Sequence, residues 1–158
     1  LRGCLTTLSG ELLSSIIHDT IIADAVGRAF VEGEEYDREM VLRGYRAACR
    51  CGTGRACFST RILSQFAGVG TKAAANFLYG ILMQNDIFAV QNSRAIQTDS
   101  SMTALVMGDG AYSRGLADIL KEEQVFTQVT LCQSAGAVPY SAKGAYVIAR
   151  LKEEGKNE

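Results

Sequence analysis

Phe58-Ser59-Thr60-Arg61-Ile62-Leu63-Ser64-Gln65-Phe66-Ala67-Gly68-Val69-Gly70-Thr71-Lys72-Ala73-Ala74 is the stretch on which the reading of the chain turns. Gly68-Val69-Gly70 separates two apolar segments, and glycine is the residue that most easily ends one helix and lets the chain enter another. Before it, Thr60 to Phe66 reads as a short helix with Ser59 as its cap. After it, Thr71 can cap a longer helix whose apolar face is Ala74, Phe77, Leu78, Ile81 and Leu82, running to about Asn85. Two helices joined by a tight turn make a helix-turn-helix, whose second helix can offer its N-terminal half to the major groove of DNA.

Working outward, Ala56-Cys57-Phe58 is short and apolar, as a small strand is, and Gly52-Thr53-Gly54 marks a turn ahead of it. Downstream, Ile87-Phe88-Ala89-Val90, polar Gln91 to Arg94, and Ala95-Ile96-Gln97-Thr98 read as strand, turn, strand. Strand, helix, turn, helix and hairpin is the element order of a winged helix. Upstream, Leu8, Leu12, Ile16, Ile17, Ile21, Ala25 and Val26 predict one or two helices within 5–31. The acidic run Glu32 to Asp37 then supplies carboxylates to the start of a helix from Arg38 to Arg50.

A second stretch, Phe126 to Gly136, matches the first at a constant offset through Phe58/Phe126, Leu63/Leu131, Gln65/Gln133, Ala67/Ala135 and Gly68/Gly136. These positions fall on the expected turn and buried face, so the spacing predicts a duplicated unit. Pro139 then suits the first turn of a second recognition helix, because its missing N–H costs nothing there. The expected fold class is mainly α with small β-hairpins: an N-terminal helical segment (1–35), a winged-helix unit (36–99) and a second, winged-helix-like unit (100–158).

Through Phe58-Ser59, Gln65-Phe66, Val69-Gly70, Lys72-Ala73-Ala74 and Ile87-Phe88, residues 37–98 resemble the winged-helix gamma domain of FtsK-type DNA translocases. The resemblance implies a DNA-facing helix but no motor, since no Gly-x-x-x-x-Gly-Lys-Ser/Thr occurs. The outward residues of the first unit are Thr71, Lys72, Ala75, Asn76 and Tyr79, with Arg61 and Arg94 beside them; in the second they are Tyr140, Ser141, Lys143 and Gly144. Lys72 suits a phosphate or guanine and Asn76 an adenine edge. Residues 66–74 also resemble a helix-hairpin-helix, in which a Gly-hydrophobic-Gly hairpin offers amides to a phosphate.

Composition frames these expectations. The 158 residues carry 47% hydrophobic side chains, enough for real cores, and a net charge of -1 that gives no global basic field. Five cysteines, an odd number, fit a reducing compartment, and no uninterrupted apolar run is long enough for a membrane span. Cys49, Cys51 and Cys57 lack a fourth ligand for zinc, and the sole His18 lies on an apolar helix, so neither a metal site nor a Ser/His/Asp set is read. The resulting expectation is a non-enzymatic, cytoplasmic protein that binds double-stranded DNA as a homodimer, without cofactor or membrane, in DNA regulation, partition or replication. Two other readings stay open. One is a winged-helix scaffold for protein partners, which the acidic pI near 5.9 favours. The other is an α/β nucleotide-binding enzyme, in which Ala104-Leu105-Val106-Met107 is a strand leading into Gly108-Asp109-Gly110 and a helix over 112–123.

Overall fold

In the computed structural model, residues 3–134 and 138–154 are described. The helices are α1 (Ser9–Asp19), α2 (Ala23–Val26), α3 (Arg38–Cys51), α4 (Thr53–Phe66), α5 (Thr71–Asn92), α6 (Ala111–Glu122) and α7 (Tyr140–Glu154), with strands β1 (Thr103–Met107) and β2 (Gln128–Cys132). The protein is thus mostly helical with one small sheet. Among the described residues no helix is long and apolar enough to cross a membrane.

The core forms around α5, in which Ala74 to Met83 are all buried and Ile87 follows one turn later. A helix buried on every side needs partners on every side, and α1, α2, α3, α4 and α6 all pack against it. The largest of these contacts is with α3, which lays Met40, Val41, Gly44, Tyr45 and Ala48 against it. Two glycines set how close the helices come. A Cβ on Gly44 would run into the Phe77 carbonyl, 2.8 Å from its carbon, and one on Gly80 would run into the Val41 carbonyl and lie 2.8 Å from Tyr45 N. Each glycine therefore seats the other helix's main chain.

The acidic segment does cap α3: the Asp37 carboxylate accepts from Met40 N at 3.1 Å. The turn between α4 and α5 lies where the sequence puts it, closed by Val69 N donating to Leu63 O at 3.2 Å, and Gly68 takes a φ of 65° there that favours glycine.

Four expectations are corrected. Ala56-Cys57-Phe58 is helix within α4, because Ala56 and Cys57 pack into the helical core rather than pairing in a sheet. Ile87 to Val90 continue α5 to Asn92 with Ile87 buried, and 93–102 form no strand, so the expected wing hairpin is absent. The duplication fails as well, since 58–66 is helix whereas 128–132, carrying β-branched Val129 and Thr130, is strand. Two further positions of that match, Ala135 and Gly136, lie outside the described residues. A tandem winged-helix arrangement is therefore not what this chain builds.

From residue 103 the chain runs strand, helix, strand, helix. β1 and β2 are parallel neighbours, from Thr103 opposite Gln128 to Met107 opposite Cys132, and α6 is the crossover that parallel strands need. Val106 is buried, while Leu105 and Met107 on the other face are more than half exposed. Tyr146, Val147, Ile148 and Leu151 of α7 are also more than half exposed.

The glycine seats give a direct test. Gly80→Ala should destabilise the protein by about 1–3 kcal/mol or more, because the clash is with main chain that cannot rotate away. Thermal unfolding followed by circular dichroism should fall by several degrees. An unchanged midpoint would mean that α3 and α5 are not this close.

Candidate functional site

The two strands end side by side, and each hands the chain to a helix. After β1, Gly108 has φ 154°, in the region that favours glycine, and a Cβ there would collide with the Ser113 side chain. Its N–H donates to Cys132 O at 3.1 Å, which ties the first turn to the end of β2. Asp109 reaches across, its Oδ1 accepting from Ser134 N at 2.6 Å. Hydrogen bonds from Ser134 hold the Asp109 carboxyl below its ordinary value of 3.8, and nearby Lys143 contributes less. Gly110 begins α6 with no side-chain cap, leaving first-turn amides available.

Beyond β2, Pro139 precedes α7 and its carbonyl accepts from Lys143 N at 3.1 Å. The Tyr140 hydroxyl donates to Gln133 O at 2.9 Å, and the Lys143 ammonium lies 5.4 Å from the Tyr140 ring centre. Met107, Gly108, Asp109, Ser134, Pro139, Tyr140 and Ser141 line a cleft of about 510 Å³. It lies outside the carboxyl ends of parallel strands, where open α/β sheets place ligands, and it adjoins the N-termini of α6 and α7, whose partial positive charge favours an anion.

Helix packing anchors this corner. The Tyr112 hydroxyl, on the first turn of α6, donates to Asp86 Oδ2 at 2.6 Å, and Ser9 Oγ donates to Asp86 Oδ1 at 2.5 Å. Burial and the Asp86 carboxylate push the Tyr112 phenol well above the ordinary range, so it stays a protonated donor.

The residues expected to face DNA are scattered. Asn76 is fully buried, its Oδ1 accepting from Asp37 N and its Nδ2 donating to Glu35 O and Lys72 O, each at 2.9 Å. Tyr79 is buried too, and its hydroxyl accepts from Val31 N at 3.0 Å. Lys72 is exposed but paired with Glu35, which raises its pKa, and Arg61 donates to Ile21 O at 3.0 Å. Thr71 is exposed at the start of α5, and Arg94 lies in the segment after that helix. Only Tyr140, Ser141 and Lys143 gather in one place, at the cleft with Asp109. The sequence singled out Gly108-Asp109-Gly110 but not Ser134, whose position depends on the parallel register of β2 against β1.

All five cysteines are free, and among the described residues no group of three or more metal-binding side chains forms. Burial pushes the Cys57 thiol up to about 11, so it is inert packing.

A family model described as 2-keto-3-deoxy-galactonokinase matches residues 1–138. The chain belongs to the 2-keto-3-deoxy-galactonokinase family. No curated protein and no solved structure matches it. Membership of a kinase family overturns the likeness to the translocase gamma domain, the non-enzymatic DNA-binding role, and the double-stranded DNA partner. The buried Asn76 and Tyr79 and the missing wing are the physical reasons the DNA reading fails.

Because the folded Asp109 carboxyl titrates below 3.8, its bond to Ser134 stabilises the fold above that pH and is lost as the pH falls through the folded pKa. The Ser134 amide resonance should therefore titrate with a midpoint below 3.8, and Asp109→Asn should abolish that titration. A midpoint at or above the ordinary value would show that the contact does not form in solution.

Proposed function

We propose that this chain serves phosphoryl transfer from a nucleoside triphosphate to a hydroxyl of a 2-keto-3-deoxy sugar acid, and that the cleft at the ends of β1 and β2 holds the nucleotide's phosphates. Family membership supports the reaction class. The single observation that carries the location is the pairing of two helix N-termini beside one cleft with glycine at its edge, an arrangement that offers amides to phosphate oxygens.

In this reading the chain divides near residue 100. The helices before it are scaffold, and the β1–α6–β2–α7 part carries the phosphates. Gly108 and Gly110 let the main chain approach the ligand, Asp109 fixes the first turn against Ser134, and Lys143 supplies a cation at the start of α7. The terminal P–O bond of the triphosphate breaks, a new bond forms to the acceptor oxygen, and the hydroxyl proton leaves. Such a transfer depends mainly on positioning and on stabilising charge, which main-chain amides and a lysine can provide.

Two variants separate binding from folding. Ser141→Asp puts a carboxylate at the exposed start of α7, where it favours the helix but repels phosphate. It should leave the melting point unchanged or higher and weaken ATP binding, measured by calorimetry with the magnesium complex, at least about tenfold. Gly108→Ala should displace the loop and cost about 100-fold in kcat/KM for 2-keto-3-deoxy-galactonate phosphorylation, measured as ADP release. Unaltered ATP affinity in Ser141→Asp would remove the cleft from the phosphate site.

A further inference from the structure

A second groove, of about 590 Å³, runs along the exposed side of α3 and is lined by Arg38, Glu39, Leu42, Arg43, Arg46, Arg50 and Glu122. Arg43, Arg46 and Arg50 recur at three- and four-residue spacing, so they share one face of the helix. Four of the chain's eleven arginines meet here in a protein whose net charge is -1.

Two of them are already held. Glu122 accepts from Arg38 Nη2 at 2.8 Å and from Arg46 Nη2 at 2.9 Å, and Arg46 Nε lies 3.8 Å from Glu123. Each guanidinium has five N–H donors, so both keep donors to spare while being fixed in direction. Arg43 and Arg50 differ: both are exposed, and among the described residues neither has a carboxylate within 4.0 Å. Four guanidiniums and two carboxylates, Glu39 and Glu122, line the groove together with apolar Leu42, while Asp118 and Glu123 lie near Arg38 and Arg46 at 3.9 and 3.8 Å.

We propose that this groove is a binding site for a small phosphate-bearing anion, separate from the cleft at the strand ends. Guanidinium forks match phosphate oxygens in pairs, and Arg43 to Arg50 extends about 10 Å along the helix, more than one carboxylate bridges. A diphosphate, or a phosphate with a second anionic group, fits that span.

On the reading that the cleft at the strand ends holds the nucleotide's phosphates, this groove lies apart from the transfer step. Glu122 ends α6, whereas the cleft adjoins its beginning, about 18 Å away along a 12-residue helix. Reacting atoms must come within about 3–3.5 Å, so a ligand on α3 acts as an effector rather than as donor or acceptor. Its seat rests on the ion pairs that join α3 to α6, the helix that follows the turn Gly108–Gly110.

Pyrophosphate is the probe, titrated by calorimetry into the whole chain at fixed ionic strength. The intact protein should bind it saturably, and R43A/R50A should lose affinity by about tenfold or more. Ser141→Asp should keep the Arg43- and Arg50-dependent binding, so this result stands apart from the fate of the nucleotide site. Removing two exposed, unpaired side chains should not unfold the protein. Should circular dichroism show the alanine pair melting lower, R43Q/R50Q replaces it. No saturable binding up to about 10 mM, or full affinity retained in the double variant, overturns the proposal.

Discussion

The contact of α3 with α5 through Gly44 and Gly80 is the constraint from which the rest of the structure follows. With main chain seated on main chain, buried Val41, Tyr45, Phe77 and Ile81 close around the crossing. The same helix pair fixes where α6 can dock. Gly115 of α6 lies where a Cβ would meet the Met83 side chain at 2.7 Å, and Val41 lines the same spot. A shift of α3 on α5 would therefore move α6, and with it the turn after β1.

Specific polar contacts join the helices to the strand–helix part. Asp86 receives Ser9 and Tyr112, and Asp118 receives the Tyr36 hydroxyl at 2.7 Å. Arg114 donates to Gly33 O at 2.9 Å with its guanidinium 5.5 Å from the Tyr36 ring centre. The loop ahead of α3 is thus tied to α6 by a partly buried bond from Tyr36 to Asp118, whose loss leaves polar groups unmatched, and by an exposed one from Arg114. Asn76 does the same work one turn deeper. A side chain suited by type to reading a base edge instead satisfies the loop that caps α3.

Much of the helical framework was legible in the sequence. Three- and four-residue apolar spacing located α1 and the start of α5, the acidic run before Arg38 located α3, and Gly68 marked the turn correctly because its φ demands glycine. What misled was length. Nothing local distinguishes Ile87-Phe88-Ala89-Val90 as strand from the same residues as the last turns of a buried helix, and only the burial of Ile87 decides it. The Phe58/Phe126 match failed for the same reason, since identical residue types served helix in one place and a parallel strand in the other. Gly108-Asp109-Gly110 did mark the turn from β1 into α6 on its own. Its weight came from β2, whose register brings Ser134 to Asp109 and which no local pattern announces.

The uncovered apolar side chains have a practical corollary. Leu105 and Met107 on one face of β1, and Tyr146, Val147, Ile148 and Leu151 on α7, offer a folded-state surface to solvatochromic dyes. Dye fluorescence would start high and rise little on heating, so a flat dye trace is no sign of an unfolded sample. The chain also has no tryptophan, which leaves tyrosine emission and backbone dichroism as the reporters of its unfolding.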